Sequence, residues 1–142
     1  ELFVDFYTTS LAEDEIITRV LIPPLPPRSG VDYIRFSSSS VVDKPSVGVA
    51  VRLTLDNGAE TIHTARIVLG CVGPTPVRAR QAEGLMNHKK LTAELASEAG
   101  QTASMECSPT SDLRGSEAYK RAIVKTLVKR ATDAAYRQAL GG

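Results

Sequence analysis

The sequence predicts an α+β fold, in which an antiparallel β-sheet (strands first) is packed on one face by three C-terminal α-helices. Segments with the two-residue period of half-buried strands occur up to Val72, and segments with helical periodicity follow from 76 to 140. Strands followed by helices favour an α+β architecture, and alternating rather than continuously apolar strands favour antiparallel pairing. The 142 residues are interpreted as one domain, with 1–30 as N-terminal strands and connector, 31–72 as the central sheet and 76–140 as helices.

The central element is a predicted hairpin between Ser46 and Val72. Its first strand alternates small or polar residues with an apolar face made of Val47, Val49, Val51, Leu53 and Leu55. A two-residue Asn57-Gly58 turn would place this face opposite Glu60, Ile62, Thr64 and Arg66, whereas a loop of about five residues would place it opposite Ala65, Ile67, Leu69 and Cys71. Because a slip of one residue turns every side chain to the other face, we predict the second register, with Cys71 facing inward.

Three further strands are predicted before the hairpin. Leu2–Thr8 is β-prone and is expected at the sheet edge, Ile16–Ile22 is expected to be a strand, and Val31–Phe36 is expected to be another. The proline-rich residues 23–30 are interpreted as a stiff spacer rather than a partner-recognition motif, because they lie between two strands. Ser37–Ser40 is expected to be a loop.

The first two helices are placed by their capping residues. The first is predicted to start with Thr75 as N-cap and Pro76 at its first position, and to end near Asn87, with an inner side made of Ala79, Ala82, Leu85 and Met86. The second is predicted to start after the N-cap Thr92 and to end before Ser108-Pro109, with an inner row of Leu95, Ala99 and Ala103.

The third helix is predicted over Ser116–Leu140, with Ser116 as N-cap. Its apolar side is expected to consist of Tyr119, Ile123, Leu127, Ala131 and Ala134. A basic row, which is interpreted as a solvated face rather than an anion-binding one, consists of Arg121, Lys125 and Lys129.

Composition excludes several classes of function. The formal net charge is +1 and aromatic residues make up 5%, which argues against a nucleic-acid-binding surface. No apolar run approaches the roughly 20 residues that a membrane span needs, and no signal peptide is visible. Cys71 and Cys107 have neither metal-type nor disulfide-type spacing, so a cytoplasmic protein with reduced thiols is expected. Because the chain begins at Glu1, without methionine, we expect a processed protein or a piece of a longer one.

The residues indicate no catalytic site and no metal site. His63 and His88 are interpreted as isolated surface histidines, since neither has an acidic residue at ligand spacing. Asp112 with Arg114, and the acidic run Glu13–Glu15, are attributed to capping and surface charge. Phosphate-cradling glycine loops and nucleophile motifs are also missing from the sequence.

Several stretches together resemble the C-terminal domain of flavoprotein subunits of molybdenum hydroxylases. This family includes the medium subunit of aerobic carbon monoxide dehydrogenase and the flavin domain of xanthine dehydrogenase. The resemblance covers nearly the whole chain in the right order, and its segments are Ala12–Ile17 leading to Ile22-Pro23, then Tyr33–Phe36, Val47–Val51, Ala65–Ala79 and Ser111–Arg121.

The resemblance implies an FAD-carrying module through which electrons leave a larger oxidoreductase complex. Substrate is hydroxylated at a molybdopterin centre on another subunit, and electrons pass through iron–sulfur clusters to FAD and then to an acceptor. The implied partners are a preceding FAD-binding domain and the iron–sulfur and molybdopterin subunits. Because most FAD contacts in the family come from that preceding domain, which these residues lack, the isolated chain is expected to hold no cofactor and to be inactive.

Two residues are matched by the resemblance to positions near the flavin. Arg35 falls where the family often has a lysine that stabilises negative charge on reduced flavin or the pyrophosphate, and Ile17 falls where an apolar residue packs near the isoalloxazine. Without the resemblance, they would be a solvent-facing strand arginine and a core isoleucine. The sequence departs from the family at Ser37–Ser40, and Ser111–Gly115 is expected to be a turn that positions the last helix.

A different class of function stays open. The chain could be a stand-alone interaction module that docks a partner through the sheet or the basic helix face. An independent enzyme is not favoured, since the residues supply no catalytic group.

Overall fold

The computed structural model of the protein describes residues 2–37, 44–58 and 60–141. Along the chain the elements are β1 (Phe3–Asp5), β2 (Thr8–Thr9), β3 (Ser29–Phe36), β4 (Val47–Leu55), β5 (Ile62–Gly70), β6 (Val77–Arg78), α1 (Arg80–Met86), α2 (Ala93–Glu106) and α3 (Glu117–Gly141). The described part of the chain therefore confirms the α+β class and the order of strands before helices.

The main sheet is an antiparallel meander with the strand order β3-β4-β5-β6. The predicted hairpin register is confirmed, because Val49 lies opposite Leu69, and Val51 lies opposite Ile67. Cys71 does not continue this inward face. Its φ of 63° turns the chain away directly after β5, and its side chain is exposed, so the prediction of an inward Cys71 is wrong.

The helices cover one face of this sheet. Helix α3 packs on β3 and β4, α1 packs on β5, and α2 packs mainly on α1 and α3. Burying such apolar side chains contributes roughly 1.5–3 kcal/mol for each large one. The largest fully buried apolar residues are Val47, Val49, Val51, Leu53, Ile62, Ile67, Leu69, Val72, Met86, Val124 and Val128.

Two glycines let the backbone layers approach one another. A Cβ at Gly30 in β3 would collide with the carbonyl oxygen of Ala135 in α3. A Cβ at Gly100 in α2 would collide with the carbonyl oxygen of Lys125 in α3. Helix α3 is therefore held against both the sheet and α2 at contacts where no side chain fits.

The predicted start of the first helix is wrong. Val77–Arg78 form strand β6, in which Val77 lies opposite Leu69, and α1 begins only at Arg80. The N-cap residue, Ala79, has no polar side chain that could accept a hydrogen bond from the first turn of α1. Instead, the Glu106 carboxylate at the end of α2 accepts hydrogen bonds from the backbone N–H groups of residues 81 and 82, each at 3.0 Å. A long-range cap and an edge-strand pairing thus replace the expected local cap.

The other two helices start where predicted. Thr92 Oγ1 accepts a hydrogen bond from Leu95 N at 3.1 Å, and Ser116 Oγ accepts one from Tyr119 N at 3.2 Å. The buried stripe of α3 differs from the predicted one by about one residue. Tyr119 is exposed, while the stripe consists of Lys120, Val124, Leu127, Val128, Ala131, Thr132, Ala135 and Ala139.

The N-terminal region departs most from the predictions. Leu2–Thr8 is not an edge strand of the main sheet, because β1 and β2 pair with each other. Ile16–Ile22 is not a strand and is exposed, although its residues are β-prone. A strand has to pair with a neighbouring strand. In the described structure, residues 10–26 pair with none and belong to neither sheet. The predicted loop Ser37–Ser40 lies outside the described residues from Ser38 onward.

Candidate functional site

The outer face of the main sheet, opposite the helices, carries the first candidate site. Arg35 in β3 lies opposite Gly48 in β4, which in turn lies opposite Gly70 in β5. All three positions face outward, because their neighbours Val47, Val49 and Leu69 are in the core. The exposed arginine therefore stands at the end of a row in which the two adjacent strands have no side chains.

Tyr33 lies beside this glycine row on the same face. Its hydroxyl group would be 3.2 Å from a Cβ built at Gly48, and its side chain is 61% exposed. The next row across the strands is Tyr33–Ala50–Val68, in which Tyr33 and Val68 are exposed. We define the outer platform as Tyr33, Arg35, Gly48, Ala50 and Gly70, a surface on which the Tyr33 side chain lies over Gly48.

Ile17, the second residue matched by the resemblance, lies in the extended N-terminal segment and not on a strand. It is 51% exposed, so the alternative of an ordinary core isoleucine is excluded. Its assignment to the flavin, like that of Arg35, stays a prediction.

The N-terminal segment as a whole exposes an unusual number of large apolar side chains. Concentrations of this kind are typical of interaction surfaces. These exposed residues are Phe3, Val4, Phe6, Tyr7, Ile16, Ile17, Val20, Leu21, Ile22 and Leu25.

A cleft of about 290 Å³ lies where the start of β4 meets the turn before α3. The buried Lys120 contributes to its wall, and Lys120 Nζ donates a hydrogen bond to the Thr110 carbonyl at 2.7 Å and lies 2.9 Å from the Asp112 carboxylate. Hydrogen bonds from Lys120 and from the Arg114 N–H lower the pKa of Asp112. Residues 111–115 thus form the predicted turn, and Ser111 Oγ also accepts a bond from Glu117 N at 3.0 Å, which ties the turn to α3.

A buried acidic side chain joins α1 to the sheet. Glu83, 4% exposed, accepts hydrogen bonds from Ile67 N at 3.0 Å and from Arg78 Nε and Nη2 at 2.9 and 2.7 Å. Burial raises the pKa of Glu83, but the hydrogen bonds from Arg78 and Ile67 outweigh it, and the net shift is downward. This group is structural, and local sequence spacing gave no sign of it because its partners lie on β5 and β6.

A third cluster lies at the far end of the main sheet, where β4 leads into β5. The His63 Nδ1 atom is 3.1 Å from Asp56 Oδ1, and the rings of His63 and His88 have centroids 6.1 Å apart. One ligand atom from each of the three residues lies within 4.8 Å of the others. The interpretation of both histidines as isolated is therefore wrong. Sequence spacing missed the cluster because a loop brings His88, from beyond α1, back to the hairpin.

The basic row of α3 is not a uniformly basic face. Lys125 and Lys129 line a shallow groove together with Glu94 and Glu98 of α2, and Arg121 donates to the Ser104 carbonyl at 2.7 Å. Mixed charges of this kind agree with the predicted solvated face. Within the described residues, no helix has the length and hydropathy that crossing a membrane requires.

Comparison with known proteins places the chain in a family. Residues 33–138 match the family described as CO dehydrogenase flavoprotein C-terminal domain. Over 92% of its length the chain is 35% identical to the nicotine 6-hydroxylase medium subunit of Paenarthrobacter nicotinovorans. Over 94% of its length it is 31% identical to the carbon monoxide dehydrogenase medium chain of Hydrogenophaga pseudoflava.

Solved structures give the same result. Carbon monoxide dehydrogenase from Hydrogenophaga pseudoflava matches 96% of this chain with a TM-score of 0.89 and 33% identity, over 46% of its own chain. Quinoline 2-oxidoreductase from Pseudomonas putida 86 matches 97% of this chain with a TM-score of 0.86 and 25% identity, over 47% of its own chain.

The chain spans less than half of the curated relatives that it matches, 44% of the nicotine 6-hydroxylase subunit and 46% of the carbon monoxide dehydrogenase chain. Within that span, both the sequence and the overall fold match one family. The chain therefore belongs to the CO dehydrogenase flavoprotein C-terminal domain family, the C-terminal domain of the FAD-binding medium subunits of molybdenum hydroxylases.

Proposed function

We propose that this domain supports FAD-mediated electron transfer from iron–sulfur clusters to an acceptor, within the flavoprotein subunit of a molybdenum hydroxylase. The observation that carries the proposal is the outer platform, where the exposed Arg35 stands at the end of the Gly48–Gly70 row. The isolated domain supplies no catalytic group of its own under this proposal.

The outer platform suits the flat end of a flavin. Glycine lets a ligand approach the backbone closely, and at Gly70 a Cβ would meet nothing nearer than the Gly48 backbone at 3.9 Å, whereas the Tyr33 ring covers Gly48. Arginine side chains are cationic, so Arg35 can stabilise negative charge that develops beside it. FAD, when bound, would accept electrons and pass them on. Arg35 would favour the reduced form, and Ile17 would supply apolar contact.

The pyrophosphate end of FAD has to be held elsewhere. Helix N-termini are the usual sites for phosphate. In this domain Glu106 already accepts from the first turn of α1, and Thr92 and Ser116 cap α2 and α3. We therefore propose that a preceding domain cradles the pyrophosphate, and that the isolated chain holds no FAD.

The exposed apolar N-terminal segment agrees with such an arrangement. Its side chains would be covered by the preceding FAD-binding domain, and the complete subunit would assemble with iron–sulfur and molybdopterin subunits in the cytoplasm. The carbon monoxide dehydrogenase and quinoline 2-oxidoreductase that share this fold support this proposal.

The test uses the complete flavoprotein subunit with Arg35→Gln, and Arg130→Gln as a matched control on the solvent side of α3. We expect Arg35→Gln to lower the flavin midpoint potential, because removing the cation disfavours the reduced, more negative form, while Arg130→Gln leaves it unchanged. Equal potentials and equal FAD contents in wild type and Arg35→Gln would contradict the proposed role of the outer platform.

A second candidate function is that of an interaction module, and the same exposed apolar segment favours it. Capture of the cognate iron–sulfur and molybdenum subunits by the immobilised chain would support the first function. Capture of unrelated partners, without those subunits, would support the second. Titration with FAD separates the cases further, since tight binding by the 142-residue chain would contradict the assignment of the pyrophosphate to another domain.

A further inference from the structure

We propose that Asp56, His63 and His88 form a binding site for a divalent transition-metal ion such as Zn²⁺. The site lies at the end of β4 away from Arg35, so it is separate from the outer platform. Imidazole nitrogens and a carboxylate oxygen are the donors that Zn²⁺ and its neighbours in the first row prefer.

The donor atoms are already close together. The 3.1 Å from His63 Nδ1 to Asp56 Oδ1 matches the spacing of roughly 3.4 Å between donors on a tetrahedral ion with bonds of about 2.0–2.2 Å. The third donor, from His88, completes a set within 4.8 Å. The His63 side chain is 59% exposed, so its ring has room to close the remaining distance.

A β-bulge directs His63 into the cluster. Thr54 lies opposite Thr64 and Leu55 lies opposite Ile62, so His63 is an extra residue without a partner on β4. A bulge of this kind redirects a side chain that regular pairing would aim elsewhere, and bulges are frequent beside functional sites. The bulge thus provides a structural reason for the contact between His63 and Asp56.

Asp56 is held in position by a second residue. Thr61 Oγ1 donates to Asp56 Oδ2 at 2.7 Å, and Asp56 N donates to the Thr61 carbonyl at 2.9 Å. The other carboxylate oxygen, Oδ1, is the one near His63. Metal-binding carboxylates are commonly oriented by hydrogen bonds of this type, which leave one oxygen for the ion.

His88 is held by the backbone at a position that does not itself require histidine. Its φ is 61°, its N–H donates to the Ile62 carbonyl at 2.6 Å, and Ile62 N donates to the Lys89 carbonyl at 2.8 Å. Glycine or asparagine would suit this left-handed turn at least as well. These backbone hydrogen bonds hold the His88 imidazole beside His63. The turn does not require an imidazole, whereas metal binding does.

The three protein donors leave further coordination positions to water, so the site is open in the manner of catalytic rather than structural zinc centres. The nearby Glu60 and Lys90 pair with each other. Tyr136 Oη donates to the Glu60 carbonyl at 2.8 Å, which anchors the hairpin loop to α3. The ion would therefore bind to residues whose backbone is held in place by these contacts.

The test is titration of the 142-residue chain with Zn²⁺ by calorimetry and with Co²⁺ by visible absorption, in a Cys71→Ser background that removes the exposed thiol. We expect one ion per chain with micromolar affinity or better, and d–d bands of a Co²⁺ ion with nitrogen and oxygen ligands. His63→Gln and His88→Asn should each weaken binding about tenfold or more. Asp14→Asn, at an exposed carboxylate elsewhere, should not change it.

His88→Asn keeps a residue that tolerates positive φ, so its fold can be checked by circular dichroism before titration. If circular dichroism shows that His88→Asn is unfolded, His88→Gly is titrated in its place. Absence of saturable binding at millimolar Zn²⁺, or equal affinity in wild type and both folded histidine variants, would overturn the proposal. Binding that is lost on chelation and restored by Zn²⁺, with the stated dependence on His63 and His88, would support it.

Discussion

The Glu83 carboxylate accepts a hydrogen bond from the backbone N–H of Ile67 and so takes the place of a strand partner on β5. Strand β6 is only two residues long, and beyond it the backbone of β5 bonds to α1 and its flanks. Ala79 N donates to the Ile67 carbonyl at 3.0 Å, and Asn87 Oδ1 accepts from Ala65 N at 3.1 Å. The Glu83 and Asn87 side chains and the Ala79 backbone thus protect a sheet edge that would otherwise expose unpaired groups.

Replacing Glu83 with alanine should therefore destabilise the domain by about 2–4 kcal/mol, because Ile67 N loses its acceptor and Arg78 loses its buried partner. The free energy of unfolding in urea measures this. Glu98→Ala, at an exposed site on α2, is the control and should change stability by about 0.5 kcal/mol or less. A similar small loss for both variants would contradict the role given to Glu83.

The same carboxylate predicts a pH dependence. The folded-state pKa of Glu83 lies below its ordinary value of 4.5, so its contribution to stability is complete above that pH and is lost as the pH falls through the folded pKa. Unfolding measured between neutral and acidic pH should show the wild-type advantage over Glu83→Gln shrinking below pH 4.5. A constant difference across that range would exclude the linkage.

Two helix glycines should respond oppositely to alanine. Gly100→Ala should destabilise by about 1–3 kcal/mol, because its Cβ collides with the Lys125 carbonyl. Gly84→Ala, where a Cβ would meet nothing within 4 Å, should stabilise by about 0.5–1 kcal/mol through helix propensity. Thermal unfolding of both variants checks this, and a stabilised Gly100→Ala would show that α2 and α3 do not approach as closely as described.

The two cysteines should differ in reactivity. Cys71 is exposed, whereas burial raises the pKa of the Cys107 thiol, which also donates to the Ser104 carbonyl at 3.3 Å. A thiol reagent should therefore modify one cysteine rapidly in the folded chain and both after denaturation. Peptide mapping identifies the modified residue, and fast labelling of Cys107 under native conditions would contradict the packing of α2.

Patterns that are local in sequence predicted much of this fold. The alternation in β4, with a loop of the right length, predicted the pairing of Val49 with Leu69, and the hydroxyl side chains of Thr92 and Ser116 predicted two helix starts. The wrong predictions involve partners distant in sequence. Ile17 lies in a β-prone segment with no strand beside it, and Glu106 caps a helix that begins more than 20 residues earlier.

The candidate sites divide in the same way. Arg35 was found through the family resemblance and not through any property of its own strand. The cluster of Asp56, His63 and His88 depends on the β-bulge at His63 and on the loop after α1 that brings His88 to β5. Neither feature can be predicted from the spacing of these residues in the sequence.

The packing of α3 has a consequence for how the chain is made. Strands β3 and β4 are covered by a helix whose contacting residues, from Val124 to Ala139, are synthesised after all the strands and after the other two helices. The valine-rich hairpin therefore stays exposed to water until α3 has been made, and such non-local packing is slow and prone to aggregation. The yield in expression and the need for chaperones should therefore depend on how soon α3 packs on the hairpin.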